Sequence, residues 1–217
     1  EQAYSAIGGT ADAGNRDGGD GISNLNPEDV ESITILKGAP AAALYGSQAA
    51  NGVILITTKK GSTGAHKISF STSLTIYKAF SLPEMQNRYG VSDGVDSWGA
   101  QEALPEQDHL NDFFRTGFTS ITSLSVSHGN EKLQNYFSYA NTTGRGIVDK
   151  NRLSKHNLNL RETSVLFNGR LKLDGNVNIM RQVVENKPVP GGFYMNPLVG
   201  LYRFPRGEDL SYYRDNF

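Results

Sequence analysis

The sequence predicts a mainly β chain: a compact α/β unit over residues 1–64, then about five antiparallel strands over residues 65–217. Three observations carry this reading. From about His66 onward, polar and apolar residues alternate with a period of two, which gives each strand one wet and one apolar face. Before that point Val53-Ile54-Leu55-Ile56 is apolar on both faces and lies among glycine-rich, small-residue segments. The connections between the alternating stretches are unequal: one is tight, and others are long, polar and rich in Pro and Gly.

In the first unit, Gly8-Gly9-Thr10 through Gly18-Gly19-Asp20-Gly21 reads as a loop. Asn26-Pro27-Glu28-Asp29 has the form of a helix start, with a capping Asn, Pro in the first turn and two acids at the positive end of the dipole. That helix must be short, because Ile33-Thr34-Ile35-Leu36 already favours a strand. Gly38 and Gly46 bracket a small-residue turn, Ala39 to Tyr45. Val53 to Ile56 is expected as a strand buried on both sides.

In the second unit the first strand is expected over 67–80. Ile68, Phe70, Leu74, Ile76 and Phe80 share one face, and Lys67, Ser69, Ser71, Ser73 and Thr75 the other. Residues 118–128, 132–143 and 152–161 are further strand candidates. Over 170–179, Leu171, Leu173, Val177 and Ile179 oppose Arg170, Lys172, Asp174, Asn176 and Asn178. The stretches suffice for a tilted membrane strand of ~9–11 residues. Asn130-Glu131 is a tight turn, whereas 81–117 and 184–217 are long connections. Periodicity alone favours a soluble antiparallel sheet with one wet face; the order of the two units and the unequal connections reverse that preference.

Composition narrows the function classes. The 217 residues carry 21 basic and 22 acidic side chains, so no basic face advertises nucleic-acid binding. With no cysteine there is no disulfide, thiolate metal site or cysteine nucleophile. The 24 glycines, 10 tyrosines and 10 phenylalanines suit strands, turns and aromatic belts. No run approaches the ~18 apolar residues of a membrane helix, a test that membrane barrels evade because only one face of each strand is apolar. The chain starts at Glu1 without a charged-then-apolar leader, and an internal piece of a longer protein is expected.

The stretch from Asn26-Pro27-Glu28-Asp29-Val30 through Lys37-Gly38-Ala39-Pro40 and Leu44-Tyr45-Gly46-Ser47 to Ala50-Asn51-Gly52-Val53-Ile54-Leu55-Ile56-Thr57-Thr58-Lys59 resembles the plug-domain signature of TonB-dependent outer-membrane receptors. Its ending resembles the SusC/RagA branch. Asp112-Phe113-Phe114-Arg115-Thr116-Gly117, Leu124-Ser125-Val126-Ser127 and Gly129-Asn130-Glu131-Lys132 resemble the start of a SusC-type barrel, with His128 where Gly is expected. The resemblance makes Asn26, Pro27, Glu28, Lys37, Gly38, Tyr45, Gly46, Asn51 and Gly52 structural signature residues of a plug. It implies that 1–64 is the C-terminal part of that plug and 65–217 the N-terminal portion of a large transmembrane barrel, of the ~22-stranded kind whose lumen holds a plug.

The function implied is a transporter of the Gram-negative outer membrane, with no cofactor and no catalysis. It would import oligosaccharides or oligopeptides with a SusD-like surface lipoprotein that captures substrate. TonB would pull on an N-terminal segment expected to lie outside this chain. With the first strand leaving the plug at the periplasmic side, 81–117 and 184–217 fall outside the cell and Asn130-Glu131 inside; Phe80 and Phe118 would then sit in the outer aromatic girdle. A siderophore or cobalamin receptor is the alternative within the class, disfavoured by the ending of the signature. A soluble carbohydrate-binding module is the alternative outside it.

Other motifs are weak. Asp12, Asn15, Asp17 and Asp20 lack the acid spacing of a calcium loop, and Gly18 to Ser23 puts Ser where a calcium repeat needs Asp. His66, His109, His128 and His156 show no i, i+4 pairing for zinc. Gly61-Ser62-Thr63-Gly64 only superficially suggests phosphate binding, and Asn141-Thr142-Thr143 would be an inert sequon in a bacterial barrel. Trp98, Tyr194 and Tyr202, with Phe193, Tyr212 and Tyr213, can stack on sugar rings or peptide side chains, although loop packing or interface anchoring is the favoured role.

Overall fold

The structure, a computed structural model, describes residues 22–49, 51–92, 97–104, 107–187 and 196–216. The glycine-rich run with Asp12 to Asp20, and Phe193 and Tyr194, lie outside the described residues. Asn26 does cap a turn: its side-chain oxygen accepts from Glu28 N at 3.2 Å, with Pro27 at the first position. The turn is a single 3-10 turn, Pro27–Asp29, because β-branched Val30 already opens strand β1 (Val30–Leu36). β1 pairs antiparallel with β2 (Val53–Thr58) in a two-stranded sheet.

Two expectations are corrected here. Ala39–Tyr45 is an α-helix (α1), not a turn, since a run of alanines behind Pro40 is strongly helix-forming. Val53 to Ile56 is not buried on both sides: Ile54 is 51% and Leu55 41% exposed. With one partner strand on this sheet, its faces are left open among the described residues.

The second sheet is an antiparallel meander in sequence order, β3 (Gly64–Tyr77), β4 (Gly117–Gly129), β5 (Leu133–Arg145), β6 (Arg152–Leu166) and β7 (Leu171–Glu185). Each strand is 13 to 15 residues long, beyond the ~9–11 that a tilted membrane strand requires. β3 starts earlier than its alternation suggested and ends where Tyr77 pairs with Gly117, so Phe80 lies beyond the strand and is 96% exposed. Phe118 instead faces Ile76.

The register sorts the residues. One face carries the rows Ile68–Val126–Phe137–Leu160–Val177 and Phe70–Leu124–Tyr139–Leu158–Ile179. The opposite face carries Ser69–Ser125–Ser138–Asn159–Asn178 and Lys67–Ser127–Tyr136–Arg161–Asn176. The polar face is the covered one. Ser123, Ser127, Ser138, Asn157, Asn159 and Thr163 are buried on it, while Phe70 and Ile68 on the apolar face are 70% and 68% exposed.

Two turns close one end of the meander. Asn130 makes the first, its side-chain oxygen accepting from Lys132 N (2.8 Å) and Leu133 N (2.9 Å). The second, Phe167–Gly169, runs through three positive φ angles. The opposite end carries the described residues of 78–116, of 146–151 and of the chain from 186 onward. The first and last of these, expected as loops, also contain short helices: α2 (His109–Phe113), α3 (Pro197–Arg203) and α4 (Leu210–Asn216).

Candidate functional site

The described part of the α/β unit lies against the polar face of the five-stranded sheet and is held by separate hydrogen bonds. Asn157 Nδ2 in β6 donates to Asn24 O at 2.9 Å. The Tyr136 hydroxyl in β5 donates to Asp29 Oδ1 at 2.9 Å. Arg161 in β6 closes its fork on Asp174 of β7, at 2.9 Å and 2.8 Å. Its remaining Nη1 donates to the backbone carbonyl of Thr58 at 3.0 Å and to Thr58 Oγ1 at 3.1 Å. Asp174 thus orients the one guanidinium that grips the end of β2.

Where the chain passes between the two units, Ser62 N donates to Ser127 Oγ at 3.0 Å. Gly61 is buried there, and a Cβ on it would stand 2.5 Å from Asn135 N, so only glycine lets the linker cross β5 this closely.

Within the α/β unit, Asp29 is the junction. Its carbonyl accepts from Lys59 N at 2.8 Å, while Lys59 Nζ donates to Glu28 O at 2.6 Å. Asn26 Nδ2, Asp29 Oδ2, Ser138 Oγ, Asn159 Oδ1 and Thr163 Oγ1 are buried without a protein partner. A cleft of about 260 Å³ opens along the same interface, lined by Glu31, Lys59, Ser62, Lys67, Ser125 and Tyr136 among others. The interface is polar and serine-rich, and each hydrogen bond across it is worth ~0.5–1.5 kcal/mol net. Such a seam separates one bond at a time.

The loop end is organised differently. Arg115 donates to the carbonyls of Gly146 (3.1 Å) and Asn151 (3.2 Å) and pairs with Asp149 at 2.5 Å, pinning 146–151 against the start of β4. His109 is buried between α2 and the 204–208 segment. Its Nε2–H donates to Glu208 O at 2.6 Å, which leaves Nδ1 to accept from Arg206 Nη1 at 3.2 Å. Burial pushes the Arg206 pKa down, and its Nη2 has no partner. Beside them a cavity of about 420 Å³ is lined by Leu82, Glu84, Gln86, Asp108, His109 and Arg206 among others. Among the described residues this end offers hydrogen bonding, and no nucleophile–base pair occurs there. Among the described residues no cluster of metal-ligating side chains occurs.

The signature residues divide. Asn26, Pro27 and Glu28 build the turn that presents Asp29 to Tyr136. Lys37 and Gly38 follow β1, Tyr45 is 48% exposed, and Gly38 and Gly46 flank α1. Asn51 and Gly52 turn the chain into β2; Gly52 has φ 106°, and a Cβ there would stand 3.0 Å from Leu36 O. Trp98 is 70% exposed and sits 5.7 Å from the Tyr89 ring, whereas Tyr202 lies on α3; no ring contact joins the two. Sequence reasoning missed Asp29, Tyr136, Asn157 and Arg161. The available signal was large polar side chains, Asn157, Asn159 and Arg161, in the middle of an otherwise regular strand.

Comparison with known proteins agrees with this arrangement. Residues 5–53 match the family model of the TonB-dependent Receptor Plug Domain. The chain is 32% identical over 198 residues to TonB-dependent receptor SusC of Bacteroides thetaiotaomicron, covering 84% of this chain and 19% of that protein. It is 31% identical over 169 residues to TonB-dependent receptor P3 of Formosa agariphila, covering 74% of this chain and 16% of that one. The chain thus spans about a fifth of the length of the curated relatives it matches. The RagAB peptide importer in its closed-closed state shares the fold with a TM-score of 0.62 at 23% identity, covering 76% of this chain and 23% of that one. The open-open state superposes equally well, at 22% identity.

Proposed function

The chain is of the SusC/RagA type of TonB-dependent receptor, and from that premise we propose that it forms the later part of the plug, to residue 64, and the first wall strands, from residue 65, of an outer-membrane importer. The observation that carries the proposal is the division of the five-stranded sheet. Its polar face holds the plug through isolated hydrogen bonds, and its opposite face carries two apolar rows that cross all five strands, a band suited to lipid. TonB, pulling on a segment N-terminal to the plug, would draw the plug off this face. A SusD-like surface lipoprotein would deliver oligosaccharide or oligopeptide to the loop end. The short turns at Asn130 and Phe167–Gly169 would face the periplasm, and 78–116, 146–151 and the chain from 186 the exterior.

The test is a reversible tether. Asp29→Cys and Tyr136→Cys, in a cysteine-free background of the full-length receptor, are joined by a short cleavable bis-maleimide. Growth on an oligosaccharide or oligopeptide mixture that depends on this receptor should stop with the tether intact and resume once it is cleaved. Uptake that continues through the intact tether would overturn plug movement as the mechanism. Orientation is checked separately: Lys150→Cys should label on intact cells, and Glu131→Cys only after the outer membrane is permeabilised.

A further inference from the structure

The apolar face of the sheet changes character towards the loop end. Beyond the row Tyr139–Leu158–Ile179, His156 lies opposite Arg181. Two further positions along, Arg145 lies directly opposite Arg152. All three arginines are exposed on the side away from the plug. Like charges facing each other across neighbouring strands are mutually destabilising. The only acid in register with them is Glu185, opposite Arg152, and no ion pair to Arg145, Arg152 or Arg181 occurs among the described residues. Arg145 lies over the Phe118 ring, 5.8 Å from its centroid, which holds its guanidinium at the edge of the apolar band. Between Arg145 and Arg152 runs a groove of about 260 Å³, lined also by Thr143, Ser154, Val183 and Glu185.

We infer that this groove binds the phosphate monoester headgroup of an outer-leaflet lipid, with the acyl chains lying along the apolar rows below. The inference rests on the proposed reading that these strands span a membrane with the loop end outside. Its position follows from that reading, because the groove lies beyond the last apolar row and the polar row of Asn141, His156 and Arg181, at headgroup level. The chemistry follows from the pair itself. Two guanidinium forks facing each other present parallel donors to the free oxygens of one phosphate, and their mutual repulsion is relieved when that phosphate lies between them. The hydroxyls of Thr143 and Ser154, on the same face between the Arg145–Arg152 and His156–Arg181 pairs, can complete the oxygen shell. A phosphodiester has fewer free oxygens and carries a second substituent that the groove would have to accommodate.

The test uses the full-length receptor in detergent with three added lipids of identical acyl chains: phosphatidic acid, phosphatidylglycerol and phosphatidylcholine. Bound lipid is counted by native mass spectrometry. Phosphatidic acid should be retained in preference to both others. The double variant Arg145→Gln/Arg152→Gln should weaken its binding roughly 30-fold, at about fivefold per arginine near an anionic surface. Arg145→Lys/Arg152→Lys, which keeps the charge and loses the forks, should fall between. Lys172→Gln, on the plug-facing side, should change nothing. Equal retention of phosphatidylglycerol and phosphatidic acid would reduce the patch to bulk charge and overturn the inference. So would loss of a co-purified surface lipoprotein in the double variant with lipid binding intact, which would assign the patch to a protein. If the receptor fails to enter bilayers at all, the membrane reading itself falls. If it enters and shows no lipid preference, only this site does.

Discussion

The two faces of the five-stranded sheet are made by the same residues in alternation, yet they are held by opposite physics. On the plug side, Ser127, Tyr136, Asn157 and Arg161 meet the first unit through separate hydrogen bonds, while buried Ser138, Asn159 and Thr163 have polar atoms without a protein partner. On the other side, two rows of Ile, Phe, Leu, Val and Tyr run across all five strands and are exposed or half-buried. Burial on one face is achieved by polar groups that water can replace, and on the other it awaits an apolar solvent. On the proposed reading, a gate would use this asymmetry, because the wall has to hold while the plug moves.

The sharpest way to break the comparison is to place charge on the apolar side. Leu124→Arg or Val177→Arg, near the middle of the band, should each destabilise the inserted barrel by ~2–4 kcal/mol, read as a lower midpoint in urea unfolding from vesicles. The same substitution at Ser125, on the plug-facing side of the same strand, should leave insertion intact. An equal loss at both positions would show that the faces are not distinguished by solvent.

The crossing at Gly61 comes next. Gly61→Val sets a side chain against the β5 backbone at Asn135, at a cost of ~1–3 kcal/mol from overpacking. Ion leakage through the receptor in planar bilayers should rise, because the plug no longer seats. Unchanged conductance would mean that the linker has room to move away.

Paired tyrosines compare the faces more finely. Tyr136→Phe removes the bond to buried Asp29 and leaves that carboxylate short of a partner, costing ~1–3 kcal/mol. Tyr139→Phe removes a 2.8 Å bond to His156 on the exposed face and should cost within ~0.5 kcal/mol. Hydrogen exchange at Lys59 N, which donates to Asp29 O, should quicken in the first variant alone. Similar protection in both would remove Asp29 from the interface.

The smallest effect belongs to the loop end. Bonds from the side chain and backbone of Asn111 hold the Asp108 carboxyl below its ordinary 3.8. Because the folded value is depressed, its stabilising contribution to α2 is fully present above that ordinary value and disappears as pH falls through the lower one. Exchange of the Asn111 amide should therefore accelerate only in that acid window, and Asp108→Ala should abolish the step. A step near neutral pH would point to another group.

Much of this was legible in one dimension. The alternation that begins near His66 marked the strands of the second sheet, because a pleated strand puts successive side chains on opposite faces wherever it sits. The turn at Asn130 and the cap at Asn26 were readable for the same local reason. What alternation leaves open is which face is covered: the sheet buries its polar side, against the usual rule, and only the position of the plug decides that. Asp29 and Tyr136 stand 107 residues apart, so their hydrogen bond could not be found by spacing. Ile54 and Leu55 looked buried because apolarity was taken as burial, yet they are open on a two-stranded sheet. Local conformation follows from backbone sterics and neighbouring side chains, which are written in the chain, whereas contacts between distant segments depend on how sheets of fixed register come together in space.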